Sequence, residues 1–329
     1  MQAKQHSTAI SLQHWNTAMM RHWLSLKQVT LLIVSLFIAA SASAAIITPT
    51  HVVAFGDSLS DDGNFYAATG NTSPPAPYWN GRFSNGPVWV EQYAAGQGAT
   101  LDGWAVGGAQ TGTINNNGAP FDGMTTQVAN YVAGLGGGGV TNASTTLFTL
   151  WGGANNFLAM LPGDDPIAVL TGAITDIGNM IGALAGVGAQ HFVVLGLPDL
   201  GLTPSKIAEG AAAQASASAI SDVFNLQLAN LLAGAPFSAM DITQIDTYYL
   251  MQDVVANPGT YGLTNVTQPC FDSTVPSLCG NPADYAFWDP IHPTAAMHGL
   301  VAAQVPVPGA VWLFVSALGL LGWTRRKAA

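Results

Sequence analysis

Two rhythms of apolar residues alternate along this chain. The first is the short unbroken run, at residues 52–55 (Val-Val-Ala-Phe), 145–151 (Thr-Thr-Leu-Phe-Thr-Leu-Trp), 191–197 and 237–242, with a briefer run before Gly103. Runs that stay apolar at successive positions and are rich in β-branched and aromatic residues read as strands buried on both faces of a sheet. The second rhythm is the helical spacing. Over 121–135 it puts Met124, Val128, Tyr131 and Leu135 on one face, and it recurs over 166–187, 208–232 and 248–256. A further helix is predicted over 87–95, with Pro87 at its first turn, and a short one follows 289–294. Strands alternating with helices in this order predict a parallel sheet of about five strands covered on both sides, a three-layer α/β/α fold.

Loops punctuate this pattern. Residues 69–85, rich in Pro, Gly and Asn, read as a long surface loop, and 115–117 and 136–139 as loop tips. Residues 257–285 are irregular and hold both cysteines, Cys270 and Cys279.

The two ends have their own signatures. Arg21 and Lys27 precede an apolar run over 30–40, and Ala42-Ser43-Ala44 follows it with small residues at a cleavage spacing. This reads as a secretory signal peptide cut after Ala44, with Met19 or Met20 as alternative starts. An uncleaved anchor is the other reading, against which the shortness of the run counts. At the far end stand Val305-Pro306-Val307-Pro308-Gly309, an apolar run over 310–323, and Arg325-Arg326-Lys327. A membrane-held tail would keep that basic end in the cytoplasm. A core helix would leave it unexplained. The expected organisation is therefore a leader over 1–44, one domain over 45–304 and a tail over 305–329. In an exported chain, an even pair of cysteines nine residues apart reads as a disulfide between Cys270 and Cys279. That loop contains no histidine, so no metal site is expected in it.

Charge excludes one class of partner. The chain carries 8 Lys and Arg against 18 Asp and Glu, and only Arg82 and Lys206 of those cations lie outside the terminal tails. The body lacks the basic surface that phosphate backbones require, so nucleic acid is excluded. A monomer without a cofactor is expected.

Candidate chemistry begins where the first strand ends, at Gly56-Asp57-Ser58-Leu59-Ser60-Asp61-Asp62-Gly63-Asn64. In an open parallel sheet, ligands bind beyond the carboxyl ends of strands, which is where Ser58 falls. A lone Gly-Asp-Ser is more often a helix cap. A serine nucleophile needs a histidine base held by a carboxylate. With the leader removed, His51, His191, His292 and His298 remain. His51 and His191 open strands, at the opposite edge of the sheet from Ser58. His298 falls inside the last helix, where a facing or surface role is expected. His292 lies in a loop three residues after Asp289, close enough for the carboxylate to bond its ring. Elimination selects His292.

The run over 56–64 resembles the signature of the GDSL (SGNH) family of serine esterases and lipases. Asp289-Pro290-Ile291-His292-Pro293-Thr294 matches that family's closing Asp-x-x-His motif. Residues 78–87 (Tyr-Trp-Asn-Gly-Arg-Phe-Ser-Asn-Gly-Pro) resemble a loop of its bacterial members, with a structural role for Arg82. The motif blocks stand in family order over about 48–305, and no Gly-x-Ser-x-Gly elbow surrounds Ser58. The resemblance implies a flavodoxin-like three-layer fold and an exported ester hydrolase in which Ser58, Asp289 and His292 are catalytic. It assigns the oxyanion hole to the backbone N–H of Ser58 and Gly108, with Gly107 as the fallback, and to the Asn155 side chain. Two positions depart from the pattern: Gly103 stands where the family often has Asn, and Asn156 where it often has Asp. The tail resembles the PEP-CTERM sorting signal, with Val307 in place of the usual Glu. Such a tail implies a Gram-negative host, a cell-envelope location and an exosortase-like processing enzyme as partner besides the export machinery. The substrate implied is a small-molecule, lipid or acylated-glycan ester. A polysaccharide O-deacetylase and a non-catalytic envelope-binding protein are the alternative readings.

Overall fold

The first apolar run forms β1 (His51–Gly56), whose alternation sends Val52 and Ala54 to one face and Val53 and Phe55 to the other, all four buried. The computed structural model describes residues 47–274 and 277–306. In it β1 pairs in parallel with β2 (Thr100–Gly103) on one side and with β3 (Thr146–Trp151) on the other. β4 (His191–Leu195) and β5 (Asp241–Ile245) continue the sheet in the order β2-β1-β3-β4-β5. This is the doubly wound, flavodoxin-like order, and the winding reverses between β1 and β3. Every side chain of β3 is buried, as the unbroken apolar run requires.

Helices cover both faces. On one side α2 (Trp89–Gln97), α8 (Thr247–Ala256) and α9 (Ala295–Gln304) bring Trp89, Val90, Met251, Val254, Met297 and Val301 onto Val52 and Ala54. On the other, α3 (Met124–Gly134), α5 (Pro166–Gly186) and α7 (Ala211–Ala233) bring Val128, Ile177, Ile181, Phe224 and Leu228 onto Val53, Phe55 and Phe148. Each fully buried large side chain is worth about 1.5–3 kcal/mol over its exposed state, so the two apolar layers dominate the stability.

Several boundaries differ from the sequence reading. The fifth strand begins at Asp241, and Phe237–Ala239 is a 3-10 turn. As the sheet's edge, β5 carries Thr243 and Gln244 and has no apolar run to mark it, while Phe237 is buried from within the turn. The helix over 208–232 is two helices, α6 (Pro204–Glu209) and α7, parted at Gly210, whose φ of 98° no helix accommodates. The irregular stretch 257–285 contains β6 (Asn265–Pro269), paired in parallel with β9 (Tyr285–Phe287), and a small hairpin of β7 (Phe271–Asp272) and β8 (Ser277–Leu278). A disulfide joins Cys270 to Cys279 across that hairpin, with Cα atoms 4.8 Å apart. His51 and His191 open β1 and β4, at the edge opposite Ser58. His298 is fully buried, so a surface role is excluded, and burial pushes it down to about 3 and keeps it neutral. The leader over 1–44 and all but the first two residues of the tail lie outside the described residues.

Candidate active site

The turn after β1 is built by its own carboxylates. Asp57 Oδ1 accepts the Leu59 N–H at 3.0 Å, and the Asp57 carbonyl accepts the N–H of Ser60 and Asp61. Asp61 accepts the backbone N–H of Gly63 (2.8 Å), Asn64 (2.6 Å) and Phe65 (3.1 Å), shaping the entry into α1 (Asn64–Ala68). Its Oδ2 also takes the Gly107 N–H at 2.8 Å, and Asn64 Nδ2 donates to the carbonyls of Gly103 and Ala105. The two polar residues thus tie the Ser58 turn to the glycine turn after β2. Gln127, which the helical spacing would leave unremarked, accepts the Gly56 N–H and donates to the Gly56 carbonyl, pinning the end of β1. Burial pushes the carboxyls of Asp57 and Asp61 up to about 6 each, against the backbone N–H bonds that favour their ionised forms.

His292 reaches this turn from the loop before α9. Its Nε2 lies 2.9 Å from Ser58 Oγ and its Nδ1 2.6 Å from Asp289 Oδ2. A carboxylate can only accept, so Nδ1 carries the proton and Nε2 is free to accept from the serine hydroxyl. Asp289 Oδ1 accepts the N–H of Ile291 (2.9 Å) and His292 (2.8 Å), the local Asx geometry that the three-residue spacing allows. Burial alone would lower His292, but the charge and hydrogen bond of Asp289 and the charge of Asp57 hold it above its ordinary 6.5. Burial would likewise raise Asp289, yet His292 and the surrounding donors hold it below the ordinary carboxylate range.

The loop 69–85 is a surface loop as far as Asn80 and turns inward over its last five residues. Ser84 is fully buried and its Oγ donates to the Pro293 carbonyl at 2.9 Å, Asn85 accepts the Ala295 N–H at 2.8 Å, and the Phe83 ring lies 5.1 Å from that of His292. Tyr78 Oη donates to Asp289 Oδ2 at 2.6 Å. Arg82 grips Glu91 at 2.6 Å and the Asn80 carbonyl at 2.8 Å, a structural role as expected.

The residues assigned to an oxyanion hole converge at the β1–β3 switch. Among the described residues, the backbone N–H groups of Ser58 and Gly108 have no protein acceptor. Gly107 spends its N–H on Asp61, which removes it as the fallback. Gly108 sits at φ 83°, and a Cβ there would lie 2.2 Å from Asn117 Nδ2, so no other residue fits. Asn155 opens toward the same place from α4 (Ala154–Leu158), beyond β3; its Nδ2 donates to Asp57 Oδ2 at 3.2 Å and to the Ala109 carbonyl at 3.1 Å. Asn156 does not serve its own helix: its Oδ1 accepts the Thr111 N–H and its Nδ2 donates to Thr111 Oγ1, both at 3.0 Å. At the other departure, a Cβ on Gly103 would lie 2.2 Å from Asp62 Oδ1, so Asp62 takes the room an asparagine would need.

Ser58 and His292 open onto a cleft of about 330 Å³. Leu158 of α4, Leu200, Ala217 and Ile220 of α7, Met251 of α8 and Ile291 give it apolar walls, and the Lys206–Glu209 ion pair at 2.8 Å marks its polar edge.

The GDSL-like Lipase/Acylhydrolase family matches residues 52–305, which takes in every block of this site. The chain belongs to that family. The thermolabile hemolysin of Vibrio parahaemolyticus serotype O3:K6 is 30% identical over 273 residues, covering 77% of this chain but 62% of the hemolysin, less than two thirds of its length. The phosphatidylcholine-sterol acyltransferase of Aeromonas hydrophila is 27% identical over 320 residues, 80% of this chain and 92% of the relative. Among solved structures, a member of the lipolytic G-D-S-L family from Veillonella parvula DSM 2008 overlays at a TM-score of 0.46 and 16% identity, over 77% of this chain and 94% of that one.

Proposed function

We propose that this GDSL-family chain is an exported serine hydrolase that cleaves esters of apolar acyl groups. The observation that carries this reading is the hydrogen-bonded series Ser58–His292–Asp289 opening onto an apolar cleft. Ser58 Oγ attacks the ester carbonyl while its proton passes to His292 Nε2, and Asp289 stabilises the imidazolium. The Ser58 and Gly108 N–H groups and the Asn155 amide receive the developing oxyanion, Asn155 exchanging its bond to the Ala109 carbonyl for one to the substrate. The tetrahedral intermediate collapses, His292 returns the proton to the departing alkoxide, and an acyl-Ser58 remains. Water then surrenders a proton to His292, attacks the acyl carbon and releases the acid with Ser58 reprotonated.

An acetyl group would leave most of the apolar walls unfilled, so the cleft favours longer acyl chains over O-deacetylation. The acyl-transfer name of the Aeromonas relative supports an acyl-ester substrate. A nitrophenyl ester series tests the reading: the expected profile peaks beyond acetate, and Ala217→Trp, which fills the wall, lowers long-chain turnover by about tenfold or more while sparing acetate. Peak activity on acetate would favour the deacetylase reading. Absence of fluorophosphonate labelling at Ser58 would favour a non-catalytic binding protein.

Export belongs to the same proposal, with the leader ending at Ala44, the hydrolase domain over 45–304, a sorting tail from 305 and an envelope or extracellular location. The Cys270–Cys279 disulfide supports an oxidising compartment. Intact-mass measurement on protein from its own host is expected to show a chain lacking the leader and ending near Pro308. A species retaining Arg325 and Arg326 would instead indicate a permanent anchor.

A further inference from the structure

Asp289 receives one hydrogen bond more than its local turn and His292 supply. Tyr78 Oη lies 2.6 Å from Oδ2, the same oxygen that takes the His292 Nδ1–H, while the two backbone N–H groups occupy Oδ1. The donor comes from 211 positions earlier in the chain and meets a carboxylate that is only 4% exposed. Its ring is held on three sides. The edge contacts are to Phe271 at 5.7 Å, Trp288 at 6.2 Å and Phe83 at 6.4 Å, and Phe271 stacks on Trp288 at 5.7 Å. Phe271 follows Cys270 directly, its N–H donates to the Trp288 carbonyl, and the Cys279 N–H donates to the Cys270 carbonyl. The disulfide-closed hairpin therefore fixes the aromatic wall against which Tyr78 rests.

We propose that Tyr78 is a positioning residue for ester hydrolysis: its hydroxyl locks the Asp289 carboxylate in the orientation that aims His292 Nε2 at Ser58, and the hairpin 270–279 holds Tyr78 in place. The proposal rests on the catalytic reading of Ser58, His292 and Asp289. The two backbone bonds to Oδ1 leave the carboxylate free to swing Oδ2 out of line, and a second donor on Oδ2 removes that freedom. A misalignment of about 1 Å can cost about a hundredfold in rate, so a single hydroxyl at this point is sufficient to matter. The hydroxyl also shares the charge of Oδ2, which would otherwise act on His292 alone. Besides Asp289, the titratable group whose charge acts on His292 is Asp57, from the serine turn, and the charge of His292 in turn helps to keep the buried His298 of α9 neutral.

A tyrosine that merely fills the aromatic cluster would tolerate loss of its hydroxyl, so Tyr78→Phe separates the two roles and preserves the ring. On a soluble nitrophenyl ester with the full chain, the expected result is a fall in kcat of about tenfold with KM within about twofold. The acid limb of kcat/KM moves to higher pH, because the unshared Asp289 charge holds the His292 proton more tightly. In an Asp289→Ala background the same substitution is expected to cost less than about twofold, since the hydroxyl acts through that carboxylate. Wild-type kcat with an unmoved acid limb in Tyr78→Phe would overturn the proposal, as would an undiminished loss in the Asp289→Ala background. Failure of wild-type protein to label at Ser58 would instead overturn the catalytic reading on which it stands.

Discussion

The serine turn and the histidine loop meet within a hydrogen bond of each other, but they are held by different means. The serine turn is assembled mainly from its own neighbourhood: Asp57 bonds Leu59, Asp61 bonds residues 63 to 65, and the longer ties to Gly107 and Gln127 only anchor a turn already shaped. The histidine loop shapes its own Asx turn, yet its placement depends on distant segments, with Tyr78, Ser84 and Asn85 reaching it from more than 200 positions away. A disulfide-closed hairpin braces the aromatic wall beside it. Ser58 is thus positioned by short-range bonds that survive local perturbation, whereas His292 is positioned by long-range contacts that can be loosened one at a time.

The largest expected effect treats the two regions as one unit. Ser58→Ala and His292→Ala should each lower kcat by about a thousandfold or more, and the double variant should be no worse than either single one. Ester turnover measures this, and a Ser58→Ala protein keeping a tenth of wild-type kcat would separate the two regions altogether. Asn155→Ala acts on the serine side, with an expected loss of about 100- to 1000-fold, mostly in kcat. Because Asn155 also bonds Asp57, its melting temperature should drop as well, and a fully active variant would remove it from the oxyanion hole. On the histidine side, kcat/KM should rise with pH as His292 loses its proton. Its folded value lies above the ordinary 6.5, so the midpoint of that limb should also lie above 6.5. The ion pair with Asp289 stabilises the fold fully below 6.5 for as long as Asp289 stays ionised, and that stabilisation fades as pH rises through the folded value of His292. A flat profile across this range would count against His292 as base.

Smaller effects sharpen the contrast between local and long-range support. Replacing both Cys270 and Cys279 by serine should cost about 2 to 3 kcal/mol of stability, with a loss of only several-fold in kcat, because the serine turn is untouched. Chemical denaturation and ester turnover on the same preparation test this, and free thiols in protein taken from the periplasm would show that the staple does not form in the cell. Asn156→Asp should change kcat by less than about tenfold, since the side chain faces Thr111 and away from Ser58. The Thr111 N–H can still serve one carboxylate oxygen, but the Thr111 hydroxyl already donates to Asp176 and leaves the other without a donor, so a destabilisation of about 1 kcal/mol is expected by thermal melting.

Residues 52–64 and 289–294 carry their structure in contiguous sequence, because a buried strand, an Asx turn and a short spacing between carboxylate and ring are local geometries. For that reason the strand before Ser58, the alternation of strands with helices and the pairing of Asp289 with His292 could be read from residue order alone. β5 and the helix break at Gly210 were harder, because an edge strand carries no continuous apolar run and a single glycine does not announce whether its φ will be positive. The hydrogen bonds of Tyr78, Gln127, Ser84 and Asn156 could not be read at all. A tyrosine in a Pro-rich loop, a glutamine on a helix and a serine beside an asparagine look like ordinary solvated residues until the fold delivers their partners. Sequence alone determined which groups could perform the chemistry and the layered sheet that would hold them. Tertiary structure alone decided that the Gly107 N–H belongs to Asp61 while the Gly108 N–H is left without a protein acceptor among the described residues, that Asn156 serves Thr111, and that a distant phenol completes the shell of Asp289. Hydrogen bonds between remote segments depend on where the chain returns in space, and no local preference encodes that return.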